Sequence, residues 1–190
     1  MSVVRDIAGN LLICLFIAAI LYGITCAQAY IYYQSYPEDR PFLKWMVAGV
    51  WLLETLHTAF CIVFIYTYTI THFGDAPFLD QIHWSGGITV ILGVLVAGLV
   101  HAYYIRRLWI LSEHNVWLMV PTTTLAVARF AFGTATTVQC YTVAEWTKFH
   151  QRRLPLVTLA GGLSSAAAVD LIVAAALIYL LDRSRSGFKP

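Results

Sequence analysis

Residues 84–105, WSGGITVILGVLVAGLVHAYYI, form a continuous apolar run that contains no Asp, Glu, Lys or Arg. A helix rises about 1.5 Å per residue, so this run covers roughly 33 Å when it is helical. The hydrocarbon core of a bilayer is about 30 Å thick and needs about 20 such residues. Because backbone amides find no water in hydrocarbon, the run is predicted to cross a membrane as an α-helix.

Four further runs of the same kind lie on either side of this segment. Transmembrane β-strands alternate polar and apolar residues over about ten positions, and these runs do not alternate, so a barrel is excluded. The chain is therefore predicted to be all-α: a polytopic transmembrane helix bundle, with residues 1–190 as a single transmembrane domain. The five predicted membrane-spanning helices cover residues 7–33, 45–71, 84–105, 116–141 and 154–181.

An alternative interpretation of the first run is a cleaved signal peptide. Ala27-Gln28-Ala29 resembles a cleavage site that follows a hydrophobic segment. The apolar core of a signal peptide has about 7 to 15 residues, however, and this run is far longer. We therefore interpret it as the first membrane span.

The distribution of Lys and Arg among the connections predicts the orientation of the helices. Seven of these residues fall on one side of the predicted spans: Arg40, Lys44, Arg106, Arg107, Arg183, Arg185 and Lys189. Four fall on the other side: Arg5, Lys148, Arg152 and Arg153. Since cytoplasmic loops carry the excess of basic residues, the N-terminus is predicted outside and the C-terminus in the cytoplasm.

The composition limits the classes of partner. Charged residues make up 12% of the chain, about half of the share typical of soluble domains. The net charge is only +2 and no basic run is interleaved with aromatic residues, so nucleic acid is excluded as a partner. The predicted partner is the lipid bilayer, with a multi-pass location in either the plasma membrane or another endomembrane.

The sequence contains no recognisable catalytic or metal-binding motif. The patterns His-x-x-x-His, Gly-x-Ser-x-Gly and Gly-x-x-x-x-Gly-Lys are all absent. The cysteines lack the paired spacing of a zinc or redox site, and small apolar packing residues are their simplest interpretation. We therefore predict no catalytic residues, no metal and no cofactor. The cysteines are Cys14, Cys26, Cys61 and Cys140.

Ionisable residues inside the predicted spans are the main candidates for function: Glu54, His57, Arg129 and Asp170. Counted at about 1.5 Å per residue from the predicted cytoplasmic helix ends, their depths are roughly 14 Å for Glu54, 18 Å for Arg129 and 16 Å for Asp170. His57 follows Glu54 by three residues and therefore shares its helix face. Because charges at bilayer depth face a partner or a cavity, we predict one intramembrane polar cluster.

The pairing within this cluster is predicted from the chemistry of Arg129. Its guanidinium stays protonated and needs an anion, so we expect an ion pair with Asp170 or with Glu54. Three roles are open for such a cluster. It holds helices together and does nothing else, it binds a polar ligand or ion, or it forms a proton or substrate pathway. His101, one turn before Arg106, is interpreted as a residue of the membrane interface.

Small residues at helical spacing predict close helix packing. Gly161/Ser165 and Gly162/Ala166 each place small side chains four residues apart in the fifth span. This spacing lets two helices approach closely, within the chain or by self-association of two chains. Packing within the chain is the favoured interpretation.

Several motifs resemble a family of uncharacterised fungal, chiefly basidiomycete, membrane proteins. They are LYGI at 21–24, YPEDR at 36–40, Trp51 with Glu54 and His57, YIRRLW at 104–109, and Asp170-Leu171-Ile172 with SRSGFK at 184–189. The resemblance implies a seven-helix protein with its amino end outside and a C-terminal domain of unknown function. This chain corresponds to the first five helices of that pattern. It also has Glu54 where the family usually has Asp.

Three functional hypotheses follow. The first is a receptor-like or scaffold role without enzymatic activity, in which the polar cluster joins helices or binds an unknown small ligand. The second is a transporter or channel-like protein that uses Glu54, Arg129 and Asp170 in a polar pathway. The third, a membrane enzyme, has no motif in its support.

Overall fold

The computed structural model describes residues 2–186, with side chains at residue 9 and at residues 11–183. Lys189 and the end of the SRSGFK motif lie outside the described residues. Seven α-helices are present in the described part: α1 (Ser2–Ser35), α2 (Pro41–Tyr66), α3 (Ala76–Leu79), α4 (Trp84–Leu111), α5 (Val116–Val143), α6 (Trp146–Gln151) and α7 (Arg153–Ser186). The end of α2 continues as a π-helical turn, Thr67–Thr71.

Five of these helices are long and apolar enough to cross a membrane, which confirms the predicted all-α class and the number of spans. The third span is longer than predicted, because α4 continues from Ile105 to Leu111 through Arg106 and Arg107. Arginines near a helix end extend their charged groups toward the membrane surface, so they do not terminate the helix. The segments that are long and apolar enough to span a membrane are Leu11–Ser35, Pro41–Thr71, Trp84–Leu111, Val116–Val143 and Arg153–Arg183.

The helices pack largely in chain order. α1 lies on α2, α2 on α4, α4 on α5 and α5 on α7, and α7 also contacts α4. The hydroxyls of Tyr22 and Thr55, 2.8 Å apart, connect α1 to α2. α4, α5 and α7 therefore meet as a group of three helices, with α2 and then α1 on the outside of α4.

Glycines allow these three helices to approach closely. A Cβ atom at Gly133 of α5 would overlap the Val94 side chain of α4. A Cβ atom at Gly161 of α7 would lie 3.0 Å from the Phe132 ring of α5, and one at Gly162 would lie 3.9 Å from the Gly133 amide nitrogen. The small residues of the fifth span thus pack within the chain, as predicted.

The outer surface of the bundle is apolar. Large apolar side chains are exposed along the spans, as expected of helices that face lipid. Examples from α1, α2, α5 and α7 are Phe16, Ile20, Leu52, Val127, Leu163, Leu171 and Ile178. The apolar helices are therefore suited to a lipid bilayer.

Tyr68, in the π-helical turn, connects three segments at one end of the bundle. Its hydroxyl donates to the Gln81 carbonyl and accepts a hydrogen bond of 2.8 Å from the His83 amide. The indole of Trp146 lies 3.4 Å from the same oxygen. Tyr68 is buried, so these bonds fix the α3–α4 connection against α6.

Asp80 strengthens this connection by capping α6 from outside the helix. Its carboxylate accepts hydrogen bonds from the Thr147 amide at 2.9 Å and from the Thr147 hydroxyl at 2.7 Å. These bonds stabilise the ionised form and lower the pKa of Asp80 below its ordinary value. His83 is the last residue of this connection, and its pKa is lowered by burial and by nearby His72. These hydrogen bonds join Tyr68, residues 80–83 and α6 at one end of the bundle, which we call the polar cap.

Candidate functional site

His101 and Asp170 join α4 to α7 within the membrane-spanning region. The Nε2 atom of His101 lies 2.8 Å from Oδ1 of Asp170. The His101 side chain is 7% exposed, whereas that of Asp170 is 64% exposed. The histidine is thus the buried member of the pair, and the carboxylate reaches it from the surface of α7.

Arg129 approaches the same histidine nitrogen from α5. Its Nη1 atom lies 3.5 Å from Nε2 of His101. The predicted ion pair of Arg129 with Asp170 or Glu54 is wrong, since among the described residues these carboxylates pair with His101 and His57 instead. The physical reason is the position of the imidazole, because Arg129 and Asp170 both approach one of its nitrogen atoms.

The proton on His101 determines the strength of these two contacts. A guanidinium only donates hydrogen bonds and an ionised carboxylate only accepts them. A protonated Nε2 therefore donates to Asp170, which agrees with the short distance, and then offers no lone pair to Arg129. Arg129 at 3.5 Å is then in contact with His101 without a hydrogen bond, and His101 offers no negative charge to its guanidinium.

Glu54 and His57 form a second, separate pair on α2. Nδ1 of His57 lies 3.8 Å from Oε2 of Glu54, and both side chains are about one-third exposed, at 31% and 34%. A Cβ atom at Gly93 of α4 would lie 3.8 Å from Nε2 of His57, so His57 faces α4 near Gly93. His101 is eight residues farther along α4, roughly 12 Å away along the helix axis. The structure thus divides the four predicted site residues into two groups.

The interpretation of His101 as an interface residue is wrong, because its side chain is buried and bonded to Asp170. The error came from ending the third span at Ile105. Measured from the observed end at Leu111, His101 lies roughly 15 Å inside α4, about the depth predicted for Asp170. If the third span had been extended to Leu111, His101 would have been predicted at the depth of Asp170 and included among the candidate site residues.

A cavity of about 600 Å³ lies between α4 and α5, on the side of His101 that Arg129 occupies. Asp170 does not line it. We call this cavity the α4–α5 groove. Its walls are mostly apolar, and the lining residues with polar side chains are Thr123, His101, Arg106 and Arg129. The remaining lining residues are Val94, Gly98, Ala102, Ile105, Trp109, Met119, Ala126, Val127 and Phe130.

The groove runs along the helices and reaches the depth of the bilayer centre. Its α4 wall extends from Val94 to Trp109, roughly 22 Å at about 1.5 Å per residue. Arg129 lies twelve residues beyond Trp117, roughly 18 Å from that end of α5. The Arg106 guanidinium lies 5.7 Å from the centre of the Phe42 ring, so it has a cation–π partner on α2. Arg129 is therefore the basic group deep in the groove.

The described residues contain no group of three or more His, Cys, Asp or Glu side chains with a geometry that could hold a metal ion. All four cysteines are free thiols, with Cys140 buried and Cys14 exposed on α1. The polar chemistry of the spans therefore depends on the His101–Asp170 pair, on Arg129, and on the Glu54–His57 pair.

Comparison with protein-family models, with curated proteins and with solved structures gives no match for this chain. The resemblance to the fungal seven-helix family stays a prediction from the sequence motifs.

Proposed function

We propose that this protein is a receptor-like integral membrane protein that binds a small ligand in the α4–α5 groove. In the proposed orientation the amino end is outside and the carboxyl end is in the cytoplasm. Ligand pockets have volumes of about 300 to 1,000 Å³, largely apolar walls and a few convergent polar groups. The α4–α5 groove lies within this range at about 600 Å³, its walls are largely apolar, and Arg129 and His101 are among its lining residues.

The observation that carries this proposal is the position of Arg129 and His101 in the groove wall. Charged groups inside a membrane normally face a partner or a cavity, and their occurrence in a pocket supports function. His101 also contacts Asp170 of α7, so a ligand in the groove would contact a residue that joins α4 to α7. A receptor needs this kind of connection between its ligand and its helix packing.

A groove-filling substitution tests the proposal. Ala126 lines the groove on α5, and Ala126→Phe places a ring in it. Ala131 is exposed on α5 and does not line the groove, so Ala131→Phe is the matched control. Each protein would be purified from its membrane and extracted with organic solvent, and the extract would be analysed by mass spectrometry.

We expect a small molecule that is enriched with the wild type and with Ala131→Phe and is depleted with Ala126→Phe. All three proteins should have similar thermal unfolding temperatures, which would show that the loss is not caused by misfolding. Identical extracts from the three proteins would contradict ligand binding in the groove. That result would favour a scaffold role in which the polar residues only join helices.

Transport is a second candidate, favoured by the polar groups of three helices that meet near the middle of the spans. Arg129 contacts His101, and His101 contacts Asp170 on the surface of α7. Glu54 lies outside this group, on α2. Because Arg129 does not lose its proton, a proton would pass only between His101 and Asp170. In proteoliposomes with an internal pH-sensitive dye, proton transport through this pair predicts a flux that Asp170→Asn abolishes. Equal flux in the wild type, the variant and empty liposomes would rule out this pathway.

A further inference from the structure

We infer that the ligand of the α4–α5 groove is an apolar monocarboxylic acid of the fatty-acid type, with its carboxylate on Arg129. This inference rests on the proposed function and names the chemical class of the ligand. It follows from the charge of Arg129, from its depth in the membrane, and from the apolar walls around it.

The charge of Arg129 calls for an anion that the described residues do not supply. Its guanidinium has five N–H donors and does not lose its proton. In the described part of the chain, carboxylates lie within 4.0 Å of basic side chains in four pairs, and none includes Arg129. These pairs are His57–Glu54, His72–Asp75, His101–Asp170 and Lys148–Glu145. A carboxylate matches the planar guanidinium with two parallel hydrogen bonds, so it would complete the site.

The depth of Arg129 excludes the headgroup of a phospholipid as this anion. Arg129 lies thirteen residues from Val116 and fourteen from Val143, roughly 20 Å from either end of α5. It is thus at the middle of a helix that is longer than the hydrocarbon core of about 30 Å, which places Arg129 near the centre of the bilayer. A phosphate that stays at the membrane surface cannot reach this depth. The anion must therefore belong to a molecule that enters the hydrocarbon as a whole.

The walls of the groove indicate the rest of the ligand. Small residues such as Gly98, Ala102 and Ala126 form the apolar wall of the α4–α5 groove beside Arg129. Along α4 the groove continues to Trp109, so its length suits an elongated hydrocarbon better than a compact polar molecule. A molecule with one acid group on an apolar chain would pair its carboxylate with Arg129 and pack its chain against the apolar walls.

Photolabelling in phosphatidylcholine nanodiscs tests the inference. The probes are a palmitic acid that carries a diazirine and its methyl ester, which has the same chain but no charge. We expect the acid to label peptides from residues 94–109 and 119–130 saturably, and unlabelled palmitate to compete with it. A hydrogen bond to a charged group predicts a preference for the acid over the ester of about tenfold or more.

Variants of three arginines assign this preference to Arg129. Arg129→Gln should reduce it to about onefold, whereas Arg129→Lys, which keeps the positive charge, should retain most of it. Arg107→Gln removes a neighbouring exposed charge outside the groove and should leave the preference unchanged. If Arg106→Gln abolishes the preference and Arg129→Gln does not, the anion binds at the membrane surface and the inference is overturned.

The remaining outcomes separate this inference from the proposed function. If acid and ester label the groove equally and Ala126→Phe blocks both, the groove binds ligands but not through a carboxylate. The inference then fails and the proposed function stands. If neither probe labels the groove saturably, the inference also fails, and the mass-spectrometric comparison of Ala126→Phe with Ala131→Phe decides whether the groove holds any ligand.

Discussion

The His101–Asp170 hydrogen bond is predicted to stabilise the contact of α4 with α7. The perturbation is His101→Leu and Asp170→Leu, made singly and together. The His101 side chain is 7% exposed, so it is the buried member of the pair. Replacing it with Leu leaves the Asp170 carboxylate in the membrane without its hydrogen-bond partner. We expect His101→Leu to lower the free energy of unfolding by about 2 kcal/mol, within the range for hydrogen bonds to charged groups.

The double variant should be less destabilised than the sum of the single variants. Hydrogen bonds between membrane helices have coupling energies that average about 0.6 kcal/mol and reach about 1.7 kcal/mol. Because the bond here is short and one partner is buried, we expect a coupling energy of about 1 to 1.7 kcal/mol. It would be measured by steric-trapping unfolding in bicelles.

A control cycle uses Glu54→Gln with Asp170→Leu. Glu54 belongs to the separate pair on α2, and substitutions more than about 7 to 10 Å apart usually add within about 0.5 kcal/mol. An equal coupling energy in the two cycles, or a value near zero for His101 with Asp170, would refute the reasoning. The contact at 2.8 Å would then contribute nothing specific to the bundle.

Three further predictions concern packing and the polar cap. Gly133→Ala should lower the free energy of unfolding by about 1 to 3 kcal/mol through overlap with the neighbouring helix, and Val94→Ala should restore part of it in the same unfolding assay. Gly49→Ala, where a new Cβ atom meets nothing within 4 Å, should instead be neutral or slightly stabilising. Tyr68→Phe leaves the Gln81 carbonyl and the His83 amide without their partner and should destabilise the polar cap by about 1 to 3 kcal/mol. Residues 80–86 should then exchange their amide hydrogens faster, and unchanged exchange would contradict the role of the hydroxyl. The pKa of His83 is lowered in the folded state from its ordinary value of 6.5, so the unfolded polar cap binds more protons than the folded one. The stability of the polar cap should therefore fall as the pH drops below about 6.5. Hydrogen exchange of His83→Gln should lack this pH dependence.

The two groups of polar residues have different structural positions. Glu54 and His57 belong to one helix, three residues apart, so their contact needs no tertiary packing. Arg129, His101 and Asp170 come from α5, α4 and α7 and meet only when these helices pack. A ligand or proton that acts on the second group therefore acts on the arrangement of three helices, and this is why the proposals concern that group.

The sequence alone determined that the chain forms five membrane-crossing helices. Uncharged runs such as residues 84–105 require helical hydrogen bonding in lipid, whatever their neighbours do. The same reasoning identified Arg129 and Asp170 as residues that need a partner. Its errors along the chain were that the third span ended too early at Ile105 and that His101 was assigned to the interface as a consequence. Its errors between helices were the ion pair of Arg129 and the single cluster of four residues.

Only the tertiary structure decided which partner each charged residue has. The depth of a residue follows from counting along its helix, but its direction depends on the rotation of that helix and on which helix lies beside it. Gly133 and Gly161 bring α5 close to α4 and α7 and thereby help to set those rotations. The result is His101 in contact with both Asp170 and Arg129, with a groove on the side of Arg129. Helix formation in lipid depends on each residue's own chemistry, whereas pairing between helices depends on packing that no single span contains.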